Sequence, residues 1–184
     1  MRQLWIKHFQ GTGFDERNGE FYEAAAEILL SRTVDAFQYY LADIIAWALW
    51  RVPDKAQIKD AAKQLQVDLG ISEDDAIRLA ARRFAERLSF GGFNTMVEFI
   101  EKTFDVALKL DPTARMKLRK IVAARNMIAH NHAQKNHRYC RDVGEPASNV
   151  GQSIRPSLRT AKAAAKQLST FVAVVDLTLC EKLL

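Results

Sequence analysis

For most of the chain apolar residues recur at steps of three and four, the period of helices with one buried face. From about Glu16 to Trp50 this step runs through Ala25, Leu29, Ala36, Tyr40, Ile44, Ala48 and their neighbours, and no Gly or Pro interrupts residues 20–52. The spacing predicts one long helix, or two joined by a kink. Pro53 and Asp54 open a second helix, which Gly70 closes. Ser72 with Asp75 three residues on is a capping-box pattern and predicts a third helix over 73–90. After the break at Gly91 and Gly92, residues 95–110 read as a fourth helix with Met96, Phe99, Ile100, Phe104 and Leu108 on one side. Asp111 and Pro112 supply a cap and a proline for the first helical position of a fifth, which runs to near His130. Residues 133–153 are polar, carry Gly and Pro, and read as a loop. A last helix covers 155–182.

No strand pair, internal repeat or low-complexity run interrupts this pattern. The expected fold is all-α: a helical bundle of about five to six helices with long first and last helices. Residues 1–15 read as an N-terminal arm and 16–184 as a single domain. Gly11-Thr12-Gly13 lacks the Lys-Ser/Thr and the preceding strand of a phosphate loop, so it reads as a flexible turn. Phe37, Tyr40, Trp47 and Trp50 are expected mostly in the core, with a few aromatics on a dimer face.

Composition narrows the class. Hydrophobic residues make up 48% and charged residues 27% of 184, which is globular and not disordered. With 8 Gly and 4 Pro the chain has too little punctuation for an all-β sandwich. The formal charge of +5 and the pI of about 9.3 lean toward a polyanionic partner such as nucleic acid. Glu16, Glu20, Glu23 and Glu27 form an acidic stripe, a solvated face or a surface for a basic partner. Arg155, Arg159, Lys162 and Lys166 form a basic stripe beside Ile154, Leu158, Ala161, Ala165 and Leu168. Two cysteines, Cys140 and Cys180, do not make a disulfide framework. The N-terminus lacks a signal-peptide pattern, and the longest apolar candidate, residues 39–50, is interrupted by Asp43. No membrane span is expected, and the chain reads as cytoplasmic.

The chemistry gathers between Lys120 and Cys140, in KIVAARNMIAHNHAQKNHRYC. His130, His132, His137 and Cys140 are all zinc-type ligands, but the spacing lacks the paired Cys-x-x-Cys or the His-Glu-x-x-His of a specific metal motif. No metal and no other cofactor is expected. Taken singly, each residue suits a structural role. Leu118, Ile121, Val122, Met127 and Ile128 give the helix a core face, a terminal His favours a helix C-terminus, and Arg125 suits a salt bridge.

Taken together, Arg125, Asn126 and His130 in RNMIAH lie near the end of an apolar-periodic helix, before a polar loop and a closing helix. This resembles the HEPN superfamily (higher eukaryotes and prokaryotes nucleotide-binding), whose hallmark is an Arg followed four to six residues later by a His. The resemblance covers about residues 16–184. It implies a metal-independent endoribonuclease, acting in a toxin–antitoxin or phage-defence role with an antitoxin protein as possible partner. It also implies a homodimer in which two copies of the motif face one cleft. Some HEPN proteins are instead catalytically silent scaffolds that bind a nucleotide or a protein. Where some HEPN toxins carry a Tyr that a partner enzyme modifies, two residues after the His, this chain has His132.

The residue types suit RNA cleavage. The 2′-OH is the nucleophile, so no metal-bound water is needed. Histidine in general titrates near neutrality and can give or take a proton. Arginine offers a planar fork to phosphate oxygens as charge develops on phosphorus, and Asn126 can orient either group. The expected products carry a 2′,3′-cyclic phosphate and a 5′-OH. Arg119, Lys120 and His132 are assigned to substrate contact, with Arg115 and Lys117 preceding them on the same helix. On an ideal helix Arg125 and His130 leave about 140° apart. Asn126 and His130 share a face, and Arg125 and His132 nearly do. Either the helix ends or distorts near Ala129, or Arg125 of one subunit works with His130 of the other.

Overall fold

The computed structural model describes residues 12–54 and 58–184, with side chains from Gly19 onward. Its α-helices are α1 (Thr12–Arg51), α2 (Ile58–Leu69), α3 (Glu73–Ser89), α4 (Phe93–Phe104), α5 (Pro112–His130), α6 (His137–Val143) and α7 (Leu158–Leu183), with a 3-10 turn at Ala147–Asn149. The described residues contain no strand, only one antiparallel bridge between Gln134 and Ser153. Among the described residues the protein is all-α with long first and last helices, and α6 brings the helices there to seven. Helix α1 starts at Thr12, so the expected arm is shortened by the residues from Thr12 to Asp15, and Thr12 and Gly13 are helical; residues 1–11 lie outside the described residues.

Several ends follow from local chemistry. Ser72 Oγ accepts from the Asp75 amide at 3.1 Å and starts α3. Asp111 Oδ1 accepts from the amides of Thr113 (2.8 Å) and Ala114 (2.9 Å) and starts α5 at Pro112. Gly70, at φ +63, closes α2. Helix α4 stops at Phe104, six residues before the expected end, because Asp105 turns left-handed at φ 53 and its amide bonds the Glu101 carbonyl. Leu108 is still buried, although outside the helix. Helix α7 starts at Leu158 instead of 155, because Pro156 disfavours helical backbone at Arg155 and Ser157 Oγ caps the Thr160 amide at 3.1 Å.

The period of α1 is as expected and its phase is one residue off. Ala26, Leu30, Val34, Phe37, Leu41, Ile45 and Ala48 are buried, while Leu29 and Tyr40 are exposed. Apolar residues occupy most of the circumference of this helix, so its sequence marks the repeat better than the buried face. Of the aromatics expected in the core, Phe37 is buried. Trp47 and Trp50 are half-buried. Trp50 donates to Asp74 Oδ1 at 2.7 Å, with the Arg78 guanidinium 4.0 Å from its ring centroid. The Tyr40 phenol donates to Asp176 Oδ1 on α7, and partial burial with this carboxylate pushes its pKa up to about 12.

Packing divides the chain into two compact units, each discontinuous in sequence. Among the described residues the first comprises 12–33 with 123–166, and the second 34–54 and 58–122 with 167–184. No linker marks the division in the sequence, because α1, α5 and α7 each contribute to both. The second unit is built on an aromatic cluster: Phe171 lies 5.9 Å from Phe37 and 5.4 Å from Phe93, ring centre to ring centre. Helix α7 is long and apolar enough, by length and composition, to cross a membrane. Among the described residues the helix that passes this test is therefore α7, and not the stretch at residues 39–50. In the structure its residues Leu168, Phe171, Val175 and Leu179 are buried at helical spacing in the second unit, the pattern of a core helix.

Candidate functional site

Helix α5 carries the motif on a packed stem. Leu118 and Val122 are buried, and Ile121, Met127 and Ile128 are half-buried. Arg115 pairs with Glu101 on α4 at 3.6 Å. Arg119 and Lys120 belong to the second unit, and each is engaged by an interaction within the chain. Arg125, Asn126, His130 and His132 belong to the first unit.

Arg125 is half-buried, and its Nη1 donates to Asn126 Oδ1 at 3.2 Å. His130 is the last residue of α5 and is exposed. The helix continues through His130, so Asn126 and His130 lie one turn apart on one face, and Arg125 leaves it about 140° away from His130. The alignment of Arg125 with His132 on an ideal helix does not apply, because the helix has ended before His132.

The helix is closed in an unusual way. The Met127 carbonyl accepts from the amides of both Asn131 (2.9 Å) and Ala133 (3.0 Å). To allow this, two consecutive non-glycine residues take left-handed backbone, His132 at φ 50 and Ala133 at φ 58. Each costs about 1–2 kcal/mol relative to ordinary backbone. Strain of this kind persists only where surrounding contacts over-determine it, and it concentrates at functional sites. His132 is exposed on this turn.

The surrounding contacts come from the segment read as a loop. The Lys135 amide donates to Gln152 O (3.0 Å), the Gly151 amide to Lys135 O (2.8 Å) and the Ile154 amide to Ala133 O (2.7 Å). Asn131 Nδ2 reaches Gln134 O at 2.5 Å. Within this segment Asn136 Oδ1 caps the Tyr139 amide at 2.8 Å and starts α6, which buries Tyr139, Cys140 and Val143. Lys135 Nζ lies 2.6 Å from Glu145 Oε2, with both side chains 15% exposed, and Asn149 Nδ2 donates to the same oxygen at 3.2 Å. Burial first, then the Glu145 charge, pushes the Tyr139 phenol up to about 12, so Tyr139 stays neutral. Sequence reasoning missed Lys135, Tyr139 and Glu145. The available signals were the Asn136 cap and the apolar residues at 139, 140 and 143.

As for metal, His130, His132 and His137 are exposed, whereas Cys140 is only 2% exposed on α6. Among the described residues no three His, Cys, Asp or Glu side chains come together in a way that could hold an ion. The two charged stripes expected from the sequence meet where Arg155 lies 3.6 Å from Glu23. No family model, no curated protein and no solved structure matches the chain.

Proposed function

We propose that the chain is a metal-independent endoribonuclease of the HEPN type, working as a homodimer in a toxin–antitoxin or defence setting. The observation that carries this reading is the end of α5, where the exposed His130 closes the helix that bears the hydrogen-bonded Arg125–Asn126 pair and the exposed His132 stands on the strained turn just after it. In this reading His130 moves the proton between the 2′-OH and the leaving 5′-oxygen. Arg125, oriented by Asn126, stabilises the charge on phosphorus. His132, Arg119 and Lys120 contact substrate. The divergence of Arg125 and His130 on one helix supports a composite site, with Arg125 from one copy and His130 from the other. Exposed apolar residues in the same unit, Phe21 (67%), Tyr22 (56%) and Ile28 (64%), suit a surface covered by a second copy.

The test is cleavage of a mixed RNA pool in EDTA. The parent protein yields 2′,3′-cyclic phosphate ends; His130→Ala and Arg125→Ala, each folded, do not. Mixing the two variants restores partial activity if the site is composite. A dimer that never turns RNA over would instead be a non-catalytic scaffold binding a nucleotide or a protein, and equal cleavage by parent and His130→Ala would remove His130 from the mechanism.

A further inference from the structure

An open groove of about 530 Å³ runs between α2 and α3 in the second unit, away in sequence from the α5 motif. Its rim carries Arg83 and Arg87, one helical turn apart on α3, and its end carries Phe90. Both arginines are exposed, and neither forms an ion pair among the described residues. Of the two acids in the groove, Glu86 pairs with Arg82 at 3.1 Å, whereas Asp68 accepts from the neutral Gln64 amide at 2.8 Å and keeps its charge. Phe90 is 89% exposed, an unusual position for so large an apolar ring.

We infer that this groove binds single-stranded nucleic acid, with Arg83 and Arg87 on backbone phosphates and Phe90 stacked on a base. Two guanidinium groups a turn apart suit phosphate oxygens. An exposed aromatic beside a basic track is the arrangement that holds single strands without reading sequence. The inference rests on the chemistry of the groove and does not require the chain to cut RNA.

The experiment is fluorescence anisotropy with a fluorescein-labelled 2′-O-methyl RNA, which has no free 2′-OH and so survives any nuclease activity. The full chain is titrated at several salt concentrations. The double variant Arg83→Ala/Arg87→Ala should weaken binding by at least roughly tenfold and lower the salt slope by about two. Phe90→Ala should weaken it roughly tenfold with the salt slope unchanged. All three residues are exposed, so thermal melts should match the parent. Unchanged affinity and salt slope in the folded double variant would overturn the inference. So would a poly-glutamate probe that depends on the arginines while Phe90→Ala has no effect on RNA, since that pattern belongs to an acidic protein partner.

Discussion

The two units are held together by different physics. The second packs Phe37, Phe93 and Phe171 into one aromatic cluster and buries Leu168, Val175 and Leu179 beside it. In the first, around the end of α5, the backbone is fastened by hydrogen bonds between residues 133–135 and 151–154 and by the Lys135–Glu145 pair. Apolar packing is non-directional and tolerates small shifts of register. Hydrogen bonds and ion pairs are directional, and can hold a backbone in a conformation it would not otherwise adopt. The left-handed backbone of His132 and Ala133 is therefore found where the polar fastening is. The comparison teaches that the region carrying the candidate chemistry is specified by directional contacts, and the rest by burial.

The contrast can be broken at its strongest point first. Phe171→Ala removes a ring that contacts two others and should cost about 3–5 kcal/mol in urea unfolding. A cost below that of a surface substitution would show that the cluster does not anchor its unit. Lys135→Met leaves Glu145 in a mostly covered site without its cation and should cost about 2 kcal/mol. Adding Glu145→Met should recover most of that loss, because the leftover charge is the source of the penalty. If the double variant is no better than the single, the segment is held by packing after all. The smallest effect sharpens the contrast: Ala133→Gly relieves left-handed strain and should stabilise by about 0.5–1 kcal/mol after the entropy of glycine in the unfolded chain is counted. Destabilisation in a thermal melt would mean that Ala133 is held by contacts and not strained against them.

Much of the fold was legible. Asp111 and Pro112 marked the start of α5, Ser72 and Asp75 that of α3, and the step of apolar residues marked α1 as helical throughout, as one helix or two joined by a kink. The phase of α1 was not legible, since Leu29 and Leu30 are equally apolar and only packing selects Leu30 for burial. Helix α6 was hidden in a polar stretch, because Lys135 and Glu145 stabilise it through a contact ten residues apart in sequence. Spacing put Asn126 and His130 on one helix face but did not decide whether the helix ends near Ala129; it runs through to His130. The backbone of His132 was not, because neither His nor Ala favours left-handed φ, and the cause lies in the Met127 carbonyl and the distant 151–154 segment. Arg83, Arg87 and Phe90 gave no motif at all, since their relation appears only when α2 and α3 form a groove.

Burial of Cys140 gives the fastened segment a chemical clock. Its thiol is 2% exposed, whereas Cys180 in the other unit is partly accessible. A small electrophile added to the native protein meets Cys180 directly and reaches Cys140 only when the segment around α6 opens. The ratio of the two labelling rates thus reports, without any inserted probe, how often the turn under His132 lets go.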